Sequence, residues 1–431
     1  MTEPTVTPAR PRSGRWRRLR LILLLGLLVL LVAYTGADLW TARRLAAEIA
    51  RLEARYGIAV NGRLVSPSVP AADNRARLVK AATALMIPES EEQRKAMNGF
   101  GAISETPAVP GPLRAFVEAN KEAIDVASTI GTRTLSSWEI EYNGDNSPPL
   151  LEVRSLSNVL YVQAMLGIEA GRPDEAARTI ASALLVSSSL NREPQLIAQL
   201  IRIAVADRHF TAIRRLLMHA EPSQGALEEL ARALTENRPS PMQIGFESEL
   251  MYGSRVLARV EGGRRTPEMG PSFGYAPWPG VLGRLGRPIV RIAHLRFLRN
   301  MDRLLSVEAG PRPRPAGQLF PQPAPWHLID RFAGLSLPGL ERAAVTGDQF
   351  MTTLGATEIA VALRRYRIDR GSYPDMLSDL VPAYVDRLPI DAFTGQSPEY
   401  VRTGSGFTLT TRHGDRFGAD KRPPAKWQIT K

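Results

Sequence analysis

Catalysis and metal binding need groups that take a proton, attack a carbon or hold a cation, and this chain has few in useful arrangements. None of its 431 residues is cysteine, which excludes disulfides, zinc ribbons, iron–sulfur clusters and thiol nucleophiles together. The five histidines are His209, His219, His294, His327 and His413, and no two stand at the i, i+4 spacing with which one helix face grips a metal. No Walker loop, strand-borne GxGxxG or GxSxG is present. His209 and His219 fall on one expected helix beside Arg208, Arg214 and Arg215, where positive neighbours keep an imidazole neutral and solvated or half-packed. Glu247, Glu249 and Asp415 are the carboxylates that a two-carboxylate hydrolase would draw on if the fold brought them together. With 43 acidic residues a chance pair is easily found, so no catalytic, cofactor-binding or metal-ligating residue is assigned and no cofactor is implied.

The elements that would have to position such groups begin at a membrane. Leu21 to Ala37 is an uncharged run, LILLLGLLVLLVAYTGA, which as a helix covers roughly 26 Å, near the thickness of a bilayer core. Arg10, Arg12, Arg15, Arg17, Arg18 and Arg20 precede it, and Trp16 and Trp40 bracket it. Those signals place residues 1–20 in the cytoplasm as a basic tail, make 21–40 the anchor in an inner membrane, and put the bulk in the periplasm. The alternative is a cleaved signal peptide with Thr35-Gly36-Ala37 as its processing site. Against it, Leu45, Ile49, Leu52 and Tyr56 continue the helical spacing up to Gly57.

The net charge is +12, and 49 of the 55 basic residues are arginine. Arginine at this level, with 34 Gly and 34 Pro, is what a GC-rich genome would produce, and with a periplasmic location no nucleic-acid partner is expected. The expected fold class is mainly α. Residues 41–310 form an extracytoplasmic helical region, 311–346 a Pro-rich linker and connecting segment, and 347–431 a small α+β domain with one helix on an antiparallel sheet.

Within the helical region Asp73 is the expected cap of a helix bearing Ala76, Val79, Leu85 and Met86, and a single helix is expected from Leu113 to about Thr129. The stretch after Trp138 reads as a turn with short extended flanks. From Glu152 the spacing predicts a helix to Gly167, a break at Gly171-Arg172-Pro173 and a second helix through Ser187. This pair resembles a single tetratricopeptide unit, with Ala164, Ala176 and Ala183 at its small positions and Gly171 in its turn. Gln195 to His219 then reads as one long helix, so a regular repeat array is not expected. From Pro288 to about Glu308 a helix carries Val290, Ala293, Phe297, Met301 and Leu304 on one side, with Arg291, Arg296, Arg299 and Arg303 largely off that stripe. An ordinary bundle helix with a solvated basic face is the expected reading, and a helix lying on anionic lipid the alternative.

Near the carboxyl end a helix through Ile359, Ala362, Leu363 and Tyr366 should stop at Gly371 as its left-handed cap. A short helix with Leu377 and Leu380 follows, then strands around Tyr400, Phe407 and Trp427, with Gly404-Ser405-Gly406 as a tight turn. Tyr366, Tyr373, Leu380, Tyr400, Phe407, Leu409 and Trp427 are the expected core. The run Tyr366 to Pro374, the Leu377…Leu380-Val381 helix, Leu388 to Gly395 and the closing hairpin resemble the globular domain of the major pseudopilin of type II secretion systems. The whole chain resembles membrane-anchored bacterial proteins with a helical middle. The pseudopilin resemblance implies contact with a secretion or pilus-type envelope machine, and calcium among Asp391, Asp415 and Asp420; Arg412, Arg416, Lys421 and Arg422 oppose such an ion. Gly26 lies inside the span without the glutamate that prepilin processing needs, so a polymerised subunit is not expected. The functional expectation is a membrane-anchored periplasmic scaffold or adaptor with an envelope-protein partner, the alternative an envelope hydrolase.

Overall fold

The computed structural model describes residues 13–100, 108–142, 147–262, 286–313, 337–404, 406–411 and 425–429. It is mainly helical, with one three-stranded antiparallel sheet near the carboxyl end, as the sequence predicts. Contacts divide the described chain into two units, one from residues 13–60, 254–262 and 286–298, the other from the remainder.

Helix α1, Ser13–Tyr56, belongs to the first unit. From Leu21 to Val32 its large apolar side chains are each 54 to 68% exposed, because leucine and valine occupy every face of the helix. Beyond the apolar run the pattern changes to a stripe, and Thr41, Leu45 and Leu52 are buried.

The second unit opens with β1, Leu64–Val65, and α2, Arg75–Ala84. Asn74, not Asp73, caps α2: its side-chain oxygen accepts from the Ala76 and Ser137 amides, which ties the helix start to a distant loop. Helix α3, Glu91–Gly99, begins with a capping box between Ser90 and Gln93. The single helix expected from Leu113 is two, α4 (Gly111–Ala119) and α5 (Lys121–Ser128). Asn120 makes the break, since its amide donates to Phe116 and Ile87 carbonyls and accepts from the Ile87 amide. Strand β2, Glu141–Tyr142, pairs antiparallel with β1.

Helices α6 (Leu150–Glu169) and α7 (Pro173–Ser188) form the predicted hairpin around Gly171. A methyl group on Gly167 would meet Ala176 Cβ at 3.1 Å, so the small residues at this crossing set how closely the two helices approach. Helices α8 (Leu196–His219) and α9 (Gln224–Thr235) pack on α7, and α8 also on α6. Helix α10, Pro241–Glu261, and helix α11, Arg287–Ala309, contribute residues to both units.

Helix α12 spans Leu337–Arg370, so the expected domain boundary at 347 falls inside it and the last part of the expected linker is helical. It packs on α8 and α9, and Arg364 donates to the Leu217 carbonyl at 2.6 Å. Gly371 caps it with φ of 77°. A 3₁₀ turn, Leu377–Leu380, leads to the sheet of β3 (Glu399–Thr403), β4 (Gly406–Thr411) and β5 (Ala425–Ile429), in the order β3-β4-β5. Tyr373, Leu380, Phe407, Leu409 and Ile429 are buried there, with Tyr373 edge-on to Phe407 at 5.1 Å. Tyr400 is half-buried beside Phe407 and donates from its hydroxyl to the Pro374 carbonyl at 2.7 Å. Tyr366 departs from the expected core: it is half-buried against Tyr384, 5.4 Å between ring centres. The Trp427 side chain lies outside what is described.

Candidate binding cavity

Two of the histidines, His209 and His294, are buried within the protein. His209 is fully buried, more than the half-packed position expected, and its Nε2 shares a hydrogen bond with the Ser157 hydroxyl at 3.0 Å. Burial first, and the Arg208 charge second, push it down to about 3, which keeps the ring neutral. His294 repeats the arrangement in the other unit, with Ser254 at 2.8 Å and burial pushing it down to about 4. Each pair has a hydroxyl and a base, but His209 and His294 are sealed from solvent, so no substrate reaches them. His219 ends α8. His327, His413, Asp415 and Asp420 lie outside the described residues.

Glu247 and Glu249 stand two residues apart on α10, which separates them by about 200° around a helix axis. They do not share a site. Burial raises both, Glu249 to about 6. Asp391 is buried, and its Oδ1 accepts from the Phe393 amide at 2.8 Å within its own turn. Among the described residues no three His, Asp or Glu side chains gather to hold a metal.

Arg299 and Arg303 lie exposed on α11, as the solvated basic face predicts, but Arg291 does not. Arg291 on α11 is buried, donating to Glu261 Oε1 at 2.5 Å and to Asp38 Oδ1 at 2.8 Å and its carbonyl at 2.7 Å. The apolar stripe of α11 (Ala293, Phe297, Leu298, Met301 and Leu304) is likewise covered by protein, which removes the surface that the lipid-lying reading required. Arg202 on α8 is fully buried, giving hydrogen bonds to the Asn237 and Pro239 carbonyls at 2.7 and 2.9 Å. Both carbonyls engage one terminal nitrogen, Nε is buried without a hydrogen-bond partner, no carboxylate neutralises the charge among these contacts, and burial pulls it down to about 9.

A buried carboxylate ties the β1–β2 pair to the end of α7. Glu193, in the turn between α7 and α8, accepts from Ser66 at 2.9 Å, from the Trp138 amide at 3.2 Å and from the Tyr142 hydroxyl. Burial raises both Glu193 and Tyr142.

The second unit also holds an open cavity of about 390 Å³. Leu151, Arg154, Ser155 and Asn158 reach it from α6, Arg94, Met97 and Asn98 from α3. Both sets follow the i, i+3, i+4 spacing that aligns side chains on one helix face. Met86, Pro88 and Glu89, from the connector between α2 and α3, and Arg208 of α8 complete the walls, with Glu152 at the rim. Arg208 lies over the Tyr161 ring at 5.4 Å and donates to Met97 Sδ at 3.2 Å. Burial first, with Arg154 adding to it, holds Arg208 below the usual arginine range. Asn158 donates to Glu89 at 2.6 Å, and Arg94 pairs with Glu91 at 2.8 Å. The sequence reading singled out neither Arg154 nor this cavity. The available signal was the polar face of α6, which runs opposite its Leu156, Val159 and Leu160 stripe.

No protein-family model, curated protein or solved structure matches this chain.

Proposed function

We propose that the chain is a single-pass membrane protein that carries its helical bulk outside the cytoplasm, where it acts as a scaffold or adaptor for an envelope protein. The observation that carries the reading is α1, the one helix among the described residues long and apolar enough to cross a membrane. An apolar surface of this size left bare in water would drive aggregation, whereas a lipid solvent covers every face at once. Arg17, Arg18 and Arg20 stand at its amino-terminal side, and the positive-inside preference puts that side in the cytoplasm and the inner membrane around the span. The helical unit supports the adaptor part, because stacked hairpins present large side-chain faces to a partner. Docking to a secretion or pilus-type machine rests on the carboxyl-terminal resemblance alone.

Reporter fusions after Gly57 and at Lys431 test the topology. Both are expected to report export while the protein resists alkaline extraction from membranes. An active cytoplasmic reporter at either point, or a mature amino terminus at Asp38, would overturn the anchored form. A protein that sediments alone from gently solubilised membranes at native abundance would overturn the adaptor role.

A further inference from the structure

We propose that the face of α1 just beyond the apolar run binds the phosphodiester headgroup of an anionic phospholipid, in the leaflet at the carboxyl-terminal end of the span. The inference rests on the membrane-tethered reading and gives that reading a lipid partner of stated chemistry.

Placement is the first argument. Gly36, Leu39, Trp40, Arg43, Arg44 and Ala47 line a shallow groove on α1, and their i, i+3, i+4, i+7, i+8, i+11 spacing keeps them on one side of the helix. A Cβ on Gly36 would meet no atom within 4 Å, and Ala47 is short and exposed. Arg43 therefore stands between two residues that leave room beside it. At the rise of an α-helix, Arg43 and Arg44 lie roughly 5–6 Å past Trp40 along the axis. The polar layer of a bilayer is about 5–7 Å deep on each side, so a span that ends near Trp40 puts both guanidinium groups among phosphates.

Charge is the second argument. Asp38 is the one acidic residue from Leu21 to Ala47, and Arg291 pairs with it at 2.8 Å. Glu48, the next acid, pairs with Arg51 at 2.8 Å. The groove lining thus carries two positive charges and no negative one. Arg43 and Arg44 are exposed and have no ion-pair partner among the described residues. In water they would be solvated; at this depth the acceptors on offer are lipid phosphates. Arg44 lies over the Trp40 ring at 5.0 Å, so its guanidinium leans toward the bilayer while its N–H groups keep their edge free. A phosphodiester offers one negative charge and two acceptor oxygens, which a guanidinium meets in a fork. An anionic lipid is preferred to a zwitterionic one, whose own ammonium group already balances its phosphate.

The test exploits a chain without cysteine. Ala33 is exposed one turn before Gly36, so bimane attached to Ala33→Cys reports the acyl chains beneath the groove. The labelled full chain is placed in phosphatidylcholine nanodiscs holding trace phosphatidylglycerol or phosphatidylcholine, each with the same nitroxide near the top of one acyl chain. Quenching then measures the local enrichment of each lipid. Two arginines beside an anionic headgroup should enrich phosphatidylglycerol about fivefold or more, and added salt should shrink the ratio. Arg17, Arg18 and Arg20 act on the other leaflet, roughly 20 Å or more from the label. Arg43→Gln with Arg44→Gln should bring the ratio close to one, and Arg43→Lys with Arg44→Lys should keep part of it. Neither pair should move the melting temperature, because both side chains are exposed. Equal quenching by the two lipids in the parent, or an undiminished preference in the glutamine pair, would overturn the headgroup site while leaving the span intact. Quenching by neither lipid would overturn the span and the site together. Inorganic phosphate that abolishes the preference at matched ionic strength, where chloride does not, would overturn the lipid source in favour of a free anion.

Discussion

Helices α1 and α6 draw on the same leucine- and valine-rich vocabulary, yet Leu21 to Val32 of α1 stand bare while Leu156, Val159, Leu160 and Val162 of α6 are buried. The difference lies in arrangement. The apolar run of α1 is uniform around the axis and asks for a uniform solvent. Helix α6 sets Ser157 and Asn158 among its apolar residues, keeps Leu151, Arg154 and Ser155 on an open face, and narrows to Ala164 and Gly167 where α7 crosses. A patterned helix is completed by particular neighbours; an unpatterned one is completed by lipid.

The largest expected effects separate these two kinds of burial. Leu160→Ala removes a buried side chain from α6 and should cost about 2–5 kcal/mol in the unfolding of the full chain. Leu24→Ala in α1 should leave that unfolding unchanged, because its side chain is 63% exposed. Leu28→Arg should act oppositely, weakening membrane insertion by about 2.5–3.5 kcal/mol with no effect on the helical melt. Thermal melting and membrane fractionation read the two quantities separately. A fall in melting temperature for Leu24→Ala as large as that for Leu160→Ala would break the comparison.

Polar groups near the two helices sharpen it. Asp38, just after the carboxyl-terminal end of the apolar run, is met by Arg291. Glu249, on α10 within the unit that holds α6, is half-buried with no ion-pair partner among the described residues, and burial raises it from 4.5 to about 6. The native state therefore holds this proton more tightly than the unfolded chain does. The resulting stabilisation is complete below about pH 4.5 and is lost as pH rises to about 6; above that, the ionised side chain costs about 2 kcal/mol. Glu249→Gln should raise stability by up to that amount at pH 8 and change little at pH 4. Denaturant midpoints at the two pH values check it, and an equal gain at both would show that the carboxylate is not desolvated.

Local signals explain what was legible in advance. The limits of α6, α7 and α8, the stops at Gly171 and Gly371 and the three strands all follow from spacing, proline and glycine within a few residues. The misses depend on partners far away in sequence. Asn120 splits a helix because it bonds Ile87, Asn74 displaces Asp73 as a cap because it also bonds Ser137, and Arg291 leaves the surface because Asp38 and Glu261 await it. Tyr366 read as sheet core because its spacing along α12 is right, but Tyr384 takes its ring. The cavity was hidden for the same reason: Arg154 and Arg208 stand on helices separated by α7.

The smallest expected effect concerns a feature on which surroundings should have no influence. Helix α1 stops at Gly57 with φ of 66°, α6 at Gly171 with 67° and α12 at Gly371 with 77°. A Cβ added at any of the three would meet no atom within 4 Å, so substitution there tests backbone conformation alone. An alanine forced into the left-handed region should cost about 1–2 kcal/mol. Gly171→Ala and Gly371→Ala should therefore lower the melting temperature of the full chain by similar amounts, although one follows a hairpin helix and the other precedes a sheet. Arg370→Ala, one residue before the second stop and exposed, should be nearly neutral. A marked inequality between the two glycine variants would mean that packing, not φ, governs one of the stops. A loss at Arg370 equal to that at Gly371 would remove the left-handed cap as the reason α12 ends where it does.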